Sequence, residues 1–316
     1  IPIAYHARTP DATISTENSE EPFLRAKSKN PTLLQYTVRR KAVVRRKLNN
    51  LHKIVLVDKP GQLCNQIWSY SPFIVYSKLN KINVSINGFS QYVGLFPNLG
   101  HCGVRFIRNH SKTGVVVDCV NSIMGKLRRH SLKFPTPKGR VQMVRSWVAS
   151  KPILPYFEYH NCARNLFMLP DNYLKRTNRP RLGVHVRMGD YKTWKGGKYF
   201  YTLDEYYIKI NQIRASLFPG QEVEIALSSN DNVERLADRF PECIHDRANS
   251  PADDLSLLSS SDLIVGPPST FSMWASFYSK TPILFITNLY QDPPAEMPPF
   301  IVAQNKLSNG ENLSFK

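Results

Sequence analysis

The clearest evidence for the fold lies in the stretch Leu182-Gly183-Val184-His185-Val186-Arg187-Met188-Gly189-Asp190. Its first five residues form a short, largely apolar run bounded by turn residues, which is typical of a buried strand. Thr202 and Glu205 follow with the spacing of a capping box and predict a helix that ends near Leu217. A buried strand followed by a helix is the repeating unit of a parallel, doubly wound sheet.

The same alternation extends through the chain from Lys53 onward. Strands are predicted at Ile54–Val57, Ile82–Ile86, Val115–Val117, Val223–Leu227, Leu263–Val265 and Ile283–Ile286. Helices are predicted at Ile67–Leu79, after Ser250-Pro251, and at Phe271–Tyr278. The sequence therefore predicts an α/β protein with two Rossmann-like doubly wound domains that face a cleft. We expect a basic N-terminal extension at 1–50, one domain at 51–177 and a second at 178–316.

The composition fits a globular protein and excludes several other classes. Hydrophobic residues make up 42% of the 316 residues, and no apolar run approaches the ~20 residues that cross a bilayer. The five cysteines are scattered, with no Cys-x-x-Cys pair, and no Asp-x-Asp follows a predicted strand. We therefore expect neither a disulfide scaffold nor a structural zinc site, and no metal cofactor.

The net charge of +18 is concentrated in segments without acids. Ten Lys and Arg residues and no acid lie between Pro22 and Val57, and a second acid-free segment runs from Cys119 to Phe157. Such segments attract anionic lipids, acidic glycans or sugar diphosphates, although a solvated basic face explains the charge equally well. Residues 22–50 are a candidate contact for an anionic membrane surface. Because no nucleic-acid recognition motif accompanies the charge, we expect no nucleic-acid partner.

Three loops that connect a predicted strand to a predicted helix lie where doubly wound sheets bind ligands. The first, Gly61-Gln62-Leu63-Cys64-Asn65-Gln66, brings two amides to a helix N-terminus, and a structural turn is an equally good interpretation. Another, Gly266 to Ser272, places Ser269 or Thr270 at an N-cap, either to seat an anion or only to cap the helix. Asp254, near the start of a further helix, is a candidate for binding a base or a ribose, or for capping.

The loop that begins at His185 contains the candidates for catalysis. His185 and Arg187 share one face of the predicted strand because side chains alternate along strands. Arg187 can grip a phosphate through two parallel donors and stabilise negative charge on a leaving diphosphate. Asp190 can orient Arg187 or bind a hydroxyl group, and the alternative is a purely structural ion pair. The candidates for general base are Asp190, Glu158 and Glu205, with Asp190 first.

In kind and order, these segments resemble the fucosyltransferase superfamily between about Lys53 and Thr287. The matching segments are Gly-x-x-x-Asn-Gln after the first strand, His-x-Arg-x-x-Asp-Tyr, Asp-Leu-x-Leu-Leu, and Ser-Thr-Phe-Ser-x-Trp-Ala. The α1,2-fucosyltransferases of glycosyltransferase family 11 look most similar. The resemblance implies a GT-B-type fold, GDP-fucose as donor, an oligosaccharide or glycan acceptor, inversion at the anomeric carbon and no metal requirement.

The resemblance also implies roles for individual residues. Arg187 falls on the family's essential arginine, which contacts the diphosphate, and Arg187, Asp190 and His185 form the expected catalytic group. The expected donor-binding residues are Asn65, Gln66, Asn230, Asp254, Ser269, Thr270 and Phe271. Cys64 departs from the family pattern, where a glycine is usual, and Met188 stands where the α1,2 branch usually has a second arginine.

Several alternatives stay open at this stage. The donor is fucose or another deoxyhexose on GDP, and a non-catalytic glycan-binding protein on the same fold is a further interpretation. The stretch Tyr191 to Tyr201 looks like a loop on the acceptor side. The resemblance fits a Golgi lumenal enzyme in a eukaryote and an enzyme at the cytoplasmic face of the inner membrane in a bacterium.

Overall fold

The computed structural model of the protein describes residues 51–149, 156–169, 178–241, 243–245 and 250–315. We refer to residues 51–169 as the first half and to residues 178–315 as the second half. The predicted extension at 1–50, its membrane contact at 22–50 and the side chain of Glu158 lie outside the described residues.

Strands and helices alternate along both halves. The strands are β1 (Leu51–Leu56), β2 (Asn83–Asn87), β3 (Arg105–Ile107), β4 (Ser131–Thr136), β5 (Gly139–Val144), β6 (Arg181–Val186), β7 (Glu224–Ser229), β8 (Cys243–Ile244), β9 (Leu263–Gly266), β10 (Ile283–Phe285), β11 (Ile301–Ala303) and β12 (Lys306–Leu307). The α-helices are α1 (Leu63–Asn80), α2 (Lys112–Lys126), α3 (Ser146–Ala149), α4 (Tyr156–Leu166), α5 (Leu203–Leu217), α6 (Glu234–Ala237), α7 (Pro251–Ser259) and α8 (Thr270–Ser279).

The sheet of the second half is fully parallel and has the strand order β10-β9-β6-β7-β8. The direction of the order reverses between β6 and β9, and ligands of doubly wound sheets bind in the crevice beyond the carboxyl ends of such strands. All six residues of β6 are buried, as its largely apolar sequence predicts. Arg187 follows β6 directly, and Ser269 follows β9 after a two-proline turn, so both lie at this reversal.

The sheet of the first half has the order β3-β2-β1-β5-β4, in which β4 alone is antiparallel to its neighbour. Its order reverses between β1 and β5. The Asp58 carboxylate, just beyond β1, accepts hydrogen bonds from the Ser146 N–H and hydroxyl at 2.7 Å each and from the Trp147 N–H at 2.9 Å. This carboxylate therefore caps α3 and joins the carboxyl ends of the two strands.

Helices α1 and α8 connect the two halves, which fall within one compact unit. The indole N–H of Trp68 in α1 donates to the Thr270 carbonyl at 3.1 Å. The Trp68 ring lies 5.0 Å from the Trp274 ring and 5.1 Å from the Phe277 ring, measured between centroids. The predicted α/β class, with two mostly parallel Rossmann-like sheets facing a cleft in the GT-B manner, is confirmed. A division at residue 177 stays a prediction.

One predicted element is wrong: Val115–Val117 lies within α2 and is not a strand. The Ser111 hydroxyl accepts a hydrogen bond from the Gly114 N–H at 3.1 Å and so begins a helix. Gly114, Val117 and Met124 then follow a helical period on the buried face. In the part of the chain that the structure describes, no helix is long and apolar enough to cross a membrane.

Candidate active site

A cavity of about 1160 Å³ lies between the two halves, larger than most drug-sized ligands require. It is lined from the first half by the start of α1 and from the second half by the ends of β6 and β7 and the start of α8. All predicted site residues except Gln66 line it: Arg187, Asp190, His185, Asn65, Asn230, Asp254, Ser269, Thr270 and Phe271. Residues that are far apart in sequence therefore meet around one space.

Arg187 brings a positive charge to this cavity in a restrained position. Its Nη2 lies 2.6 Å from Asp190 Oδ1, and its side chain is only 12% exposed. The guanidinium carbon lies 5.1 Å from the centroid of the Tyr191 ring. The Arg187 Nε is buried and has no hydrogen-bond partner among the described residues. A buried cationic donor without an acceptor is costly, and a bound anion would supply that acceptor.

His185 is buried behind Arg187 and is neutral. Its Nδ1 lies 2.7 Å from the Ser272 hydroxyl, and its ring centroid lies 5.0 Å from that of Phe271. Burial, reinforced by the nearby Arg187 cation, lowers the pKa of His185 to about 3. His185 therefore adds no charge at neutral pH and can act only as a hydrogen-bonding group.

A glycine allows β9 to lie close to the end of β6. A Cβ atom on Gly266 would lie 2.5 Å from the carbonyl oxygen of His185, closer than nonbonded atoms approach. The strands that flank the reversal are therefore in tight contact where the ligand-binding loops begin.

The start of α8 presents hydrogen-bond donors to the cavity. The Ser269 hydroxyl caps the helix by accepting from the Phe271 N–H at 3.2 Å. The N–H groups of Thr270 and Ser272 belong to the first turn, where no carbonyl of the helix can accept from them. The Thr270 hydroxyl donates to the Asn65 side-chain carbonyl at 2.8 Å, which links the two sides of the cavity.

The start of α1 faces the same space. Gln62 is its N-cap, and no side chain in the described ranges caps this helix end. The positive end of the α1 dipole and that of α8 are therefore both directed at the cavity, and such an arrangement favours an anionic ligand.

Gln66 is placed differently from the other predicted residues. Its side chain is buried, and its Nε2 donates to the Gly61 carbonyl at 3.0 Å. Gly61 itself has φ +49°, and a Cβ atom there would lie 2.3 Å from Asn65 Nδ2. Gln66 thus fixes the turn that brings Asn65 to the cavity, and it does not reach the cavity itself.

Asp231 lines the cavity and is absent from the sequence-based prediction. The Asp231 carboxylate accepts from the N–H groups of Met188 at 3.2 Å and Gly189 at 2.9 Å, and so holds the Arg187 loop against the end of β7. The polar residues that directly follow the predicted Val223–Leu227 strand are the sequence signal from which Asp231 could have been identified.

Ser228 and His245 are two further cavity residues that the sequence did not reveal. The Ser228 hydroxyl and the His245 Nε2 are both buried, and neither finds a hydrogen-bond partner within the described part of the chain. The His245 Nδ1 lies 3.3 Å from the Leu227 carbonyl, and in the tautomer in which Nδ1 donates to this carbonyl Nε2 is an acceptor.

Glu205, Met188 and Cys64 were also singled out in the sequence, and they differ in whether they line the cavity. Glu205 accepts from the Thr202 N–H at 2.7 Å and hydroxyl at 2.8 Å, so it completes the capping box of α5 and does not line the cavity. Met188 packs against the apolar core of the second half, so the position without a second arginine faces away from the cavity. Cys64 lines the cavity, and burial raises the pKa of its thiol.

The predicted acceptor-side loop forms an aromatic rim. The Trp194 ring lies 4.8 Å from the Tyr191 ring and 5.5 Å from the Tyr199 ring, measured between centroids. Trp194 and Lys195 line the cavity from the second half, and Trp147 lines it from the first half. Tyr191 and Tyr199 are buried, whereas Trp194 is 37% and Trp147 45% exposed, so these two indoles are the aromatic faces open to the apolar face of a sugar ring.

Among the described residues, no group of three or more His, Cys, Asp or Glu side chains is placed to hold a metal ion.

The chain is similar in structure to several solved proteins. No protein-family model matches the chain, and no curated protein matches it. Similar structures include fucosyltransferase NodZ from Bradyrhizobium, with 15% identity, a TM-score of 0.45, and coverage of 76% of this chain and 99% of that chain. A mutant of Arabidopsis thaliana FUT1 in complex with GDP has 13% identity and a TM-score of 0.48, covering 84% of this chain and 80% of that chain. POFUT1 in complex with GDP has 12% identity and a TM-score of 0.41, covering 78% and 98%. Because every one of these TM-scores is 0.48 or lower, the chemistry of the cavity has to carry the assignment of function.

Proposed function

We propose that this protein is a metal-independent, inverting glycosyltransferase that moves fucose from GDP-fucose to a hydroxyl group of a carbohydrate acceptor, with α1,2 linkage. The observation that carries the proposal is the buried Nε of Arg187 at the strand-order reversal, for which the described residues provide no hydrogen-bond acceptor. The starts of α1 and α8 add two positive helix ends around the same space. A diphosphate is the ligand that satisfies all three features together.

The proposed reaction follows from these charges. The acceptor hydroxyl attacks the anomeric carbon of fucose from the face opposite the leaving group, and the bond between that carbon and the diphosphate oxygen breaks. GDP departs with the bonding electron pair, and Arg187 with the first N–H groups of α8 stabilises its developing negative charge. Asp190 is the carboxylate that we assign to take the hydroxyl proton, and its 2.6 Å contact also holds Arg187 in place. His185 positions the start of α8 through Ser272.

The choice of guanine rests on the acceptors near the end of β7. Asp254, Asn230 and the His245 Nε2 lie on this side of the cavity. Guanine presents N–H donors on its base edge, and a carboxylate and an imidazole acceptor complement these donors. The edge of uracil is richer in acceptors and complements them less well. The acceptor glycan would occupy the aromatic rim at Trp147 and Trp194.

Arg187→Ala tests the proposal directly. Because it removes the cation on the leaving group, we expect kcat/KM for transfer from GDP-fucose to fall about 10³-fold, and the affinity for GDP to fall at least about tenfold. Arg239→Lys is the matched control, because Arg239 pairs with Asp204 on the surface at 2.6 Å and does not line the cavity. Equal loss, or no loss, in the two variants would contradict the role given to Arg187.

A donor and product screen separates the finer parts of the proposal. GDP-fucose, other GDP-deoxyhexoses and a UDP-sugar are compared for release of nucleotide diphosphate in the presence of an acceptor glycan array. Turnover of another GDP-deoxyhexose alone would replace fucose, and GDP binding without turnover of any donor would favour a glycan-binding protein. The anomeric configuration and the substituted hydroxyl of the product, read by NMR, test inversion and α1,2 linkage.

A further inference from the structure

Helix α2 is apolar on two sides, and the residues that the structure describes cover only one of them. Gly114, Val117 and Met124 face the sheet and are buried. Four apolar side chains on the rest of the helix and its C-cap are more than half exposed: Val115 at 54%, Val116 at 60%, Ile123 at 53% and Leu127 at 62%. A helix of a soluble protein normally carries polar residues on its outer face, so this outer face requires a partner.

The exposed residues form a continuous stripe. Val116, Cys119, Ile123 and Leu127 are separated by three, four and four positions, which places them above one another on one side of the helix. Phe134 on the edge strand β4 is 43% exposed and lies on the same sheet face as Leu132, which packs under α2. We call the four helix residues Val116, Cys119, Ile123 and Leu127 the outer stripe.

Cations surround the outer stripe. Lys112 and Lys126 lie at the two ends of α2, and Arg128 and Arg129 follow it, all four exposed. Asp118 is the acid of α2, and it is engaged by Lys59 at 3.0 Å and by Asn87 at 2.8 Å. From Cys119 to Phe157 the sequence contains no acid. The surface therefore combines exposed aliphatic groups with positive charge.

We propose that the outer stripe and its cations dock on the surface of an anionic lipid bilayer. Aliphatic side chains enter the boundary between headgroups and acyl chains, and the flanking Lys and Arg side chains attract anionic headgroups. A second copy of the chain fits less well, because a symmetric contact would bring the same cations face to face. The segment 22–50 of this chain carries basic residues and no acid, so its charge does not complement these cations, whereas that of an anionic bilayer does.

Vesicle binding by the full chain tests the inference. We expect co-sedimentation with phosphatidylcholine vesicles that contain about one-third phosphatidylserine, little with phosphatidylcholine alone, and weaker binding as salt is raised. The triple variant Val116→Ser/Ile123→Ser/Leu127→Ser should reduce vesicle binding by about tenfold or more. Ile208→Ser is the matched control, because Ile208 is an equally exposed apolar residue, at 56%, on α5.

A local probe distinguishes this surface from other basic segments. Cys119 is exposed within the outer stripe, so a polarity-sensitive fluorophore on its thiol reports whether the stripe itself enters lipid. A blue shift with anionic vesicles, absent in the triple variant, is the expected result. Vesicle binding that survives the triple substitution with no blue shift would overturn the proposal. Sedimentation of the protein as a dimer that the triple variant abolishes would also overturn it, in favour of a second copy. Because the outer stripe does not line the cavity, GDP binding should be unchanged in every case.

Discussion

At the scale of single residues, the charge state of His185 gives the protein a specific dependence of stability on pH. The pKa of His185 is about 3 in the folded chain and near its ordinary value of 6.5 when unfolded. Between these values the unfolded chain binds a proton that the folded chain does not. The stabilisation is therefore complete above pH 6.5 and is lost as pH falls toward 3, by about 1.4 kcal/mol per unit.

His185→Gln should flatten this dependence, because the amide keeps a hydrogen bond to Ser272 and does not titrate. We expect the difference in free energy of unfolding between pH 7.5 and pH 5 to shrink by about 2 kcal/mol in the variant. Urea unfolding at the two pH values measures it, with His130→Gln at an exposed site as control. His160, whose pKa burial also lowers, sets part of the dependence that remains. An unchanged pH difference in His185→Gln would show that His185 titrates normally.

Two buried serines of the second half, Ser272 and Ser228, should differ in how loss of the hydroxyl group changes the free energy of unfolding. Ser272 is bonded to His185 at 2.7 Å, so Ser272→Ala should lower the free energy of unfolding by about 1–2 kcal/mol. The Ser228 hydroxyl has no partner in the described ranges, so Ser228→Ala should leave stability unchanged or raise it slightly.

The affinity for GDP is the second property by which Ser228 should differ from Ser272. If the Ser228 hydroxyl bonds the nucleotide, Ser228→Ala should raise the Kd for GDP about tenfold. Titration calorimetry with GDP and denaturant unfolding without it give the two readouts. Loss of stability with unchanged affinity in Ser228→Ala would make Ser228 a structural residue.

At the scale of elements, the contact between β6 and β9 should tolerate no side chain at Gly266. Because a Cβ atom there would lie 2.5 Å from the His185 carbonyl oxygen, Gly266→Ala should cost about 1–3 kcal/mol and weaken GDP binding. Gly100→Ala is the control, since a Cβ atom on Gly100 meets no described atom within 4 Å. Thermal unfolding with and without GDP compares them, and equal melting temperatures for the two variants would refute the close contact.

Elements whose signal is local were predictable from the sequence. The buried run of β6 and the capping box of α5 each lie within a few residues and agree with the structure. The strand predicted at Val115–Val117 is wrong because a β-branched run favours a strand when it is considered alone. The Ser111 cap and the buried helical face of Gly114, Val117 and Met124 outweigh that local preference.

Contacts between distant residues were not predictable in this way. Asp58 binds Ser146 across 88 residues, and Asn65 binds Thr270 across 205 residues, so no local pattern contains either pair. Ser228 directly follows the predicted Val223–Leu227 strand and could have been identified in the same way as Asp231, whereas His245 follows β8, a strand that the sequence did not predict. Most of the residues that the sequence suggested for the site follow strands, and strand ends of a parallel sheet meet at one edge, which explains why these residues line one cavity. Gln66 shares that position in sequence, but its side chain turns back onto the Gly61 carbonyl.

At the scale of the whole molecule, the cavity joins the two halves, so a nucleotide that occupies it should stabilise both. GDP at about 100 times its Kd adds about 2.7 kcal/mol to the free energy of unfolding if it binds only the folded chain. Beyond this global effect, amide hydrogen exchange should slow locally at Gly61–Asn65 in the first half and at Ser269–Ser272 in the second. Helix α2, which lies outside the cavity lining, provides an internal control within the same experiment.

The pattern of protection decides how much of the donor each half binds. Arg187→Ala should lose the protection at both segments together, because one ligand causes both. Slower exchange confined to Ser269–Ser272 would place the nucleotide wholly on the second half, and would make the Thr270–Asn65 hydrogen bond a structural contact only. Addition of GDP-fucose in place of GDP should then extend protection to the Asn65 segment, since the sugar would be the part that lies between the halves.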